Sequence, residues 1–263
     1  APSRGLGDVY KRQIKRTSGM KHKFLFILLF SLVLEGMVTT QAVAGDYVHQ
    51  VNTLIGTKGT GLTSGYLYPG ATYPYGMVQF TPSYFSKRSG FVINQLSGGG
   101  CEHMGNFPTF PVKGKLKMSP DNILNYRINV SEEKGHAVYY EAMVQEDIKA
   151  KLTVTERTGM ASYEYPADQQ YGTIIIGGGI SATPIEQAAI VITAPNKCEG
   201  YAEGGNFCGL RTPYKVYFVA EFDTDAFETG TWKREELMPN TTFAEGEYLS
   251  LIHISEPTTR SNL

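Results

Sequence analysis

The sequence has few cysteines and no excess of basic side chains. Three cysteines among 263 residues are too few for a disulfide-framed miniprotein, and their spacing matches no zinc-binding motif. With 24 basic against 25 acidic side chains, the chain lacks the positive surface that nucleic acids attract. Between residues 45 and 249 the balance is 16 basic to 22 acidic side chains, which does not favour anionic membranes either. Zinc chemistry and nucleic-acid binding are therefore excluded as functions.

No apolar run is long enough to cross a membrane. The longest, residues 24–34, would cover as a helix about half of the ~30 Å hydrocarbon core. It follows the basic stretch Met-Lys-His-Lys at residues 20–23 and precedes the small side chains Ala-Val-Ala at residues 42–44. This arrangement predicts a cleavable signal peptide over residues 20–44. We therefore expect a periplasmic or secreted product with no membrane span after signal removal.

Both ends of the chain look foreign to the rest of it. A signal peptide works from the N-terminus, so residues 1–19 ahead of it are expected to be a non-native leader. Residues 250–263 follow without a turn or a cap and are expected to be a non-native tail. Both ends resemble translated sequencing-adaptor remnants. On this interpretation residues 45–249 form one domain, which is expected to be truncated.

The mature part alternates between apolar and polar side chains. In residues 148–154 and 138–144 every second side chain is apolar, so these apolar side chains lie on one face of a strand. This is the pattern of half-buried strands. Further β-branched and aromatic runs lie at residues 126–130, 160–165, 173–176 and 214–222. Turn-forming residues separate these short runs at fairly even spacing. The pattern predicts an all-β fold, an antiparallel β-sandwich.

Two segments interrupt the alternation. Residues 56–76 are rich in glycine and carry four tyrosines, and residues 98–111 gather glycines, a cysteine, a carboxylate, a histidine and an asparagine. Long glycine-rich loops are costly to order, so in exported β domains they often mark binding surfaces. The two segments are therefore the candidate functional part of the chain.

Four blocks of this sequence resemble, in order, those of one enzyme family. The first comprises VNTLIGT at residues 51–57 and YPGATYPYGMVQ at 68–79, which resemble the family's VNPFIGT and FPGAT-P-FGMVQ. The second, at residues 90–101, resembles GFSHTHLSGTGC. The others are DIKAKLTVTERTG at 147–159 and YKVYFVAEF at 214–222. The family is glycoside hydrolase family 92, which comprises bacterial exo-acting α-mannosidases.

The resemblance implies two domains, an N-terminal β-sandwich and an (α/α)6 catalytic barrel, with the sugar bound between them. It also implies a calcium-dependent, inverting hydrolysis that trims terminal α-linked mannose from glycans. In the family the catalytic acid, the base and the calcium ligands lie mainly in the barrel, which this sequence lacks. No catalytic or metal-binding residue is therefore assigned here. We expect this chain to be inactive alone and to supply sugar-subsite loops to a C-terminal catalytic domain.

Several positions depart from the family pattern. Tyr66 replaces the histidine before FPGAT, and Ile93 and Gln95 replace the two histidines before LSGTGC. Ser83 replaces the aspartate of the family's SPD motif, and Gly99 replaces a threonine. These differences fall where contacts with the leaving group are expected. The linkage preference of the commonest members is therefore not transferred to this chain.

The predicted substrate-binding residues lie in the two glycine-rich segments: Tyr66, Tyr68, Gly98, Gly99, Gly100, Cys101, Glu102 and His103. Glu102 and His103 form the sharpest local combination, because a carboxylate and an imidazole on a glycine loop can bind sugar hydroxyls. The alternative is a loop whose polar groups cap neighbouring strands. The resemblance favours sugar contact, without a direct acid or base role.

The tyrosines admit two interpretations. The rings of Tyr66 and Tyr68 could stack on pyranose faces or fill the core, and the sequence favours neither interpretation. Tyr73 and Tyr75 are expected to fill the edge of the core beneath the loop.

The cysteines also leave alternatives open. Cys101 could be a small buried apolar side chain, a free reactive thiol or a disulfide partner. Cys198 and Cys208 flank a glycine-rich turn, and export would permit a bridge between them, although spacing alone does not establish one.

A second function class competes with the enzyme hypothesis. A stand-alone carbohydrate-binding or adhesion β-sandwich would also carry tyrosine- and glycine-rich loops, and it would need no carboxylate pair. A purely structural β domain explains the strands but not the ordered glycine motifs.

Overall fold

The computed structural model describes residues 47, 50–57, 67–83, 90–95, 97, 105–116, 129–177, 185–205, 209, 212–234, 236–246 and 249–255. The chain divides into two units, Ala1–Tyr47 and Val48–Leu263. The expected leader and signal peptide lie outside the described residues. Within the described part, no helix is long and apolar enough to span a bilayer.

The described residues of Val48–Leu263 form strands, and none of them lies in an α-helix. The sixteen strands are β1 (Ala71–Thr72), β2 (Gln79–Pro82), β3 (Phe91–Val92), β4 (Thr109–Lys113), β5 (Val130–His136), β6 (Tyr139–Val144), β7 (Ile148–Val154), β8 (Gly159–Glu164), β9 (Gly172–Gly177), β10 (Ile185–Ala194), β11 (Lys197–Gly204), β12 (Tyr214–Glu221), β13 (Glu228–Lys233), β14 (Glu236–Pro239), β15 (Phe243–Gly246) and β16 (Leu249–Ser255).

The strands build three sheets. An eight-stranded sheet has the order β1-β2-β3-β4-β9-β16-β13-β14. Two four-stranded sheets have the orders β5-β6-β7-β8 and β12-β11-β10-β15. Every pair of neighbouring strands is antiparallel. The predicted all-β antiparallel sandwich is confirmed.

Strand β7 shows how the sequence pattern produces the first core. Ile148, Ala150 and Leu152 are fully buried, while the lysines between them remain partly exposed. Successive side chains of a strand point to opposite faces, so the alternation places one face of β7 in the core. The predicted strand over residues 148–154 is confirmed with the same bounds. Tyr140 and Phe110 belong to the same core cluster.

Strand β9 contributes to two cores at once. Ile175 lies in the cluster that contains β6 and β7, whereas Ile176 lies in a second cluster with Ile190 and Ala202 of β10 and β11. Because adjacent side chains of one strand point to opposite faces, the two four-stranded sheets cover opposite faces of the large sheet at β9. The molecule is therefore a sandwich of three sheet layers here. A strand buried on both faces has a continuous apolar run, as Ile174 to Ile176 do.

The other predicted strands are recovered with small shifts at their ends. The runs at residues 160–165, 173–176 and 214–222 correspond to β8, β9 and β12. Strand β6 begins at Tyr139, because Val138 lies in the turn that precedes it with a φ of 59°. Of the run at 126–130, residues 126–128 lie outside the described residues, and β5 begins at Val130.

Strand β16 coincides with the start of the expected non-native tail. Its residues pair with β9 on one side, from Ser250 opposite Gly177 to Ser255 opposite Gly172, and with β13 on the other. The hydrogen bonds between paired strands join backbone groups, so most amino-acid sequences can form them. The pairing therefore leaves the expected origin of residues 250–263 a prediction.

We expect Leu152→Ala to lower the free energy of unfolding by about 2–5 kcal/mol, because Leu152 is fully buried and its truncation leaves a cavity. The matched control is Met160→Ala on the neighbouring strand β8, where the side chain is 50% exposed; its effect should stay within about 0.5 kcal/mol. Urea denaturation of both variants measures the difference. Equal losses would contradict the placement of this core.

Candidate functional site

Most of the predicted substrate-binding residues fall outside the described part of the chain: Tyr66, Gly98, Gly99, Gly100, Cys101, Glu102 and His103. Their contact with sugar stays a prediction. The described residues on both sides of them give the geometry on which these loops are mounted.

Tyr68 is the predicted site residue that the structure describes. It is only 5% exposed and belongs to the buried part of the fold, so its ring presents little surface for stacking. Its backbone N–H donates a hydrogen bond to Ser97 Oγ over 3.3 Å. Ser97 immediately precedes Gly98, so this bond ties the first glycine-rich segment to the beginning of the second.

A second hydrogen bond strengthens the same connection. Gln79 Nε2 donates to Ser97 Oγ over 2.7 Å, and the Gln79 backbone N–H donates to the carbonyl of Ile93 over 3.1 Å. Gln79 also forms an isolated parallel bridge with Asn94. Gln79, which follows the first segment, is therefore joined to the residues that precede the second.

Two asparagines link the two sides of the second segment. Asn94 Nδ2 donates to Asn106 Oδ1 over 2.8 Å, and the Asn106 backbone N–H donates to Asn94 Oδ1 over 2.7 Å. Tyr214 Oη donates to the same Asn106 Oδ1 over 3.2 Å. Asn106 is fully buried. This reciprocal pair joins the residues on either side of the part of the chain that contains Glu102 and His103.

The pair of Asn94 and Asn106 contains one buried hydrogen-bond donor that neither asparagine uses. Within the described residues, Asn106 Nδ2 has no hydrogen-bond partner. Rotating the Asn106 side-chain amide by about 180° would exchange Oδ1 and Nδ2. The Nδ2 donor would then face the donors of Asn94 and Tyr214, so the present orientation is the favourable one. A buried donor without a partner costs about 1–3 kcal/mol.

The glycine of the PGAT sequence fits a close approach of two strands. A Cβ atom on Gly70 would lie 2.1 Å from the carbonyl oxygen of Phe80 and 2.4 Å from Cα of Thr81. The Gly70 N–H instead donates to Thr81 Oγ1 over 3.2 Å. Any side chain here would force β1 away from β2. The glycine is thus required by packing beneath the loop.

The expectation for Tyr73 and Tyr75 is wrong. Tyr73 is 40% exposed and Tyr75 is fully exposed. Tyr75 has a φ of 59°, in the left-handed region, and lies in the turn between β1 and β2. The apolar character of the ring could not reveal a turn at this position.

Sequence reasoning missed Asn94, Asn106, Ser97 and Gln79 as parts of the site. The available signal was weak: asparagine and serine are common in loops for local reasons. Together with the backbone of Tyr68 they supply neutral amide and hydroxyl groups. Such groups suit the recognition of a hydroxyl-rich ligand, but they supply no proton-transfer group at neutral pH.

Calcium binds six to eight oxygen ligands, among which carboxylates are the charged ones. Within the described residues, no group of three or more His, Cys, Asp or Glu side chains converges. The described residues therefore offer no carboxylate cluster that fits a calcium ion.

Cys198 is a buried free thiol on β11. Burial raises its pKa to about 12, which keeps the thiol protonated and unreactive at physiological pH. Cys208, the partner in the sequence-based alternative, lies outside the described residues. The free thiol gives that bridge no support.

The fold places the chain in the class of large antiparallel β-sandwich domains. More specifically, the chain belongs to glycosyl hydrolase family 92: the profile described as the N-terminal domain of this family matches residues 50–255. The match includes both glycine-rich segments and strand β16. The family expected from the four sequence blocks is confirmed.

Solved structures with a similar fold include two family 92 mannosidases. An α-mannosidase of Bacteroides thetaiotaomicron, solved in complex with mannoimidazole, superposes with a TM-score of 0.67 at 24% identity, covering 80% of this chain and 30% of that one. An inverting mannosidase of the same organism superposes with a TM-score of 0.63 at 20% identity, covering 80% and 29%.

A sequence relative agrees with this assignment. A secreted glycosidase of Arthroderma benhamiae is 29% identical over 159 residues, which cover 52% of this chain and 20% of that protein. The chain thus spans less than a third of the length of each of these relatives.

We expect Asn106→Ala to lower the free energy of unfolding by about 2–3 kcal/mol, because it removes a buried acceptor from both Asn94 and Tyr214. The control is Asn52→Ala, at an exposed position, with an expected loss below about 1 kcal/mol. Thermal and urea melts provide the measurement. A loss at Asn106 no larger than at Asn52 would show that the reciprocal pair does not hold the loop base.

We expect Cys198 to resist iodoacetamide at mildly alkaline pH until the protein is unfolded, because its thiol is buried and its pKa is about 12. Mass spectrometry of peptides from native and denatured samples, without reductant, measures the labelling. Rapid native labelling would contradict the burial. Protection that persists in denaturant would contradict the free thiol and indicate a bridge.

Proposed function

We propose that this chain is the N-terminal part of an exported, calcium-dependent, inverting exo-α-mannosidase. Its role is to supply sugar-subsite loops to a catalytic barrel encoded outside this chain. The proposal is supported by the membership in family 92 and by the mannosidases that share the fold. Export is supported by the relative from Arthroderma benhamiae, which is a secreted glycosidase.

The observation that carries the proposal is the joining of the two glycine-rich segments at Ser97. Its hydroxyl accepts from the N–H of Tyr68 in the first segment and from Gln79 Nε2, and Ser97 directly precedes Gly98, the first residue of the second segment. The surrounding amides add fixed donors and acceptors. Sugar hydroxyls are both donors and acceptors, so a rim of this kind can orient a mannose ring.

In this proposal the chain orients the sugar and performs no bond cleavage. An inverting glycosidase needs one carboxylic acid and one carboxylate about 6.5–9.5 Å apart, with a water molecule between one of them and the sugar. We assign both groups, and the calcium ligands, to the part of the protein outside this chain. Glu102 and His103 act as substrate contacts, and the chain alone is inactive.

The full-length protein, expressed from the uninterrupted gene, tests this proposal. With an aryl α-mannoside, proton NMR should show β-mannose as the first product, and EDTA should abolish turnover until calcium is restored. The 263-residue chain should release no mannose. First formation of α-mannose, turnover that resists EDTA, or release by the chain alone would contradict it.

Glu102→Gln in the full-length protein tests the role of the loop. Loss of charge-assisted hydrogen bonds to sugar hydroxyls should raise KM about tenfold, with a smaller change in kcat. The control is Glu236→Gln, which changes an exposed carboxylate on β14 and should leave both constants unaltered. An unchanged KM for Glu102→Gln would remove this residue from the site.

A further inference from the structure

The sheet β12-β11-β10-β15 has an outer face that does not match an ordinary solvent-exposed surface. Its inner face packs in the second core through side chains such as Ile190 and Ala202. On the opposite face Tyr217, Val219 and Phe243 are 71%, 63% and 55% exposed. Large apolar side chains gathered on one exposed face usually mark a binding site.

The register of the strands shapes this face into a groove. Ala189 of β10 pairs with Tyr201 of β11, which pairs with Tyr217 of β12. On the next row, Val191 pairs with Phe243 of β15. The short side chain of Ala189 therefore forms a low floor, with tyrosine rings on one side and a phenylalanine ring on the other.

The groove has the size of a small-ligand site. Its volume is about 430 Å³, and its lining includes Ala189, Val191, Tyr201, Tyr217 and Phe243. Ligand pockets usually range from about 300 to 1,000 Å³, with mostly apolar walls and a few polar groups at the edge. The Tyr201 and Tyr217 rings are 6.1 Å apart between centroids and inclined by 51°, so they form a bent wall.

Polar groups line the edge of the groove in fixed positions. Glu245 Oε1 accepts from Gln187 Nε2 over 2.8 Å and from Tyr201 Oη over 3.3 Å. Glu199 is exposed and also lines the groove. The Glu245 carboxylate held in this way, and the exposed carboxylate of Glu199, can accept hydrogen bonds from vicinal hydroxyl groups.

The charges of the groove disfavour an anionic ligand. The ammonium group of Lys215 forms an ion pair with Glu203 and lies 3.7 Å from the centre of the Tyr201 ring. Its charge is thus balanced locally. Glu199 and Glu245 leave the groove acidic, which disfavours phosphates, nucleic acids and other anions.

The exposed large apolar side chains of this face are concentrated at the groove and are not spread over an area the size of a protein interface. A stable protein interface buries about 800 Å² on each side and involves about 20–30 residues. Here the exposed large apolar side chains within the described sheet are Tyr217, Val219 and Phe243, grouped around one groove.

We propose that this groove binds a neutral pyranose unit of a glycan. The C–H face of the sugar ring packs against Tyr217 and Phe243, and its hydroxyls donate to Glu245 and Glu199. The groove uses none of the residues of the glycine-rich segments. It would hold the protein on a glycan chain whether or not the mannosidase proposal is correct.

Hydroxyl-radical footprinting of the complete 263-residue chain tests the groove directly. The probes are two neutral oligosaccharides, an α-linked mannopentaose and cellopentaose. At least one should reduce oxidation of Tyr217 and Phe243 about threefold, because a bound ring covers these aromatic faces. Phe227, 62% exposed and outside the groove, should be oxidised equally with and without sugar.

Matched variants separate this site from the glycine-rich segments. Tyr217→Ala should weaken binding of the protecting oligosaccharide about tenfold by calorimetry, whereas Tyr217→Phe and the control Phe227→Ala should bind as the parent chain does. Both changed positions are exposed, so the variants should keep their melting temperature.

Two results would overturn the proposal. One is the absence of protection with both oligosaccharides, or binding that Tyr217→Ala leaves unchanged. The other is a dimer in light scattering that Tyr217→Ala dissociates, which would make the face a contact between copies of the chain. Neither result depends on turnover, so the mannosidase proposal is judged separately.

Discussion

The two faces of strand β9 pack in two different hydrophobic cores, and the arrangement of the three sheets depends on this double packing. Ile175 packs with the sheet that contains β7, while Ile176 packs with the sheet that contains β10. A polar side chain at either position would be buried without a natural partner. The continuous isoleucine run therefore fixes one four-stranded sheet on each face of the large sheet, and hence the surfaces that each leaves exposed.

The candidate functional site depends on the same framework. Strands β1 to β4 belong to the large sheet; β1 lies within the first glycine-rich segment, and the second lies between β3 and β4 and includes the first residues of β4. Ser97 joins the two segments, and the pair of Asn94 and Asn106 closes the base of the second. A rigid sheet with hydrogen-bonded loop bases is the arrangement that positions binding groups accurately. In the proposed function this rim meets a catalytic domain supplied by the rest of the protein.

Local pattern was sufficient for part of this structure. The alternation in β7 predicted its bounds, and the run YKVYFVAEF predicted β12, because both strands have distinct faces. The three-layer arrangement was not predictable, since a short apolar run does not say which sheet covers which face. Tyr75 was misplaced because its exposure follows from a left-handed turn rather than from its apolar ring.

The parts of the site that sequence reasoning missed depend on long-range pairing. Asn94 and Asn106 are twelve residues apart and meet only when their loop closes. The aromatic groove combines side chains of four strands, whose register no single segment encodes. The glycine motifs were recognised because close packing, as at Gly70, restricts the residue type itself.

A crystal structure of the full-length protein with mannoimidazole would test the central claim most directly. The account predicts the inhibitor between the sandwich and the catalytic domain, with a ring hydroxyl within hydrogen-bond distance of Glu102 or His103. An inhibitor held entirely by residues outside this chain, with the glycine-rich loops turned away from it, would contradict the account.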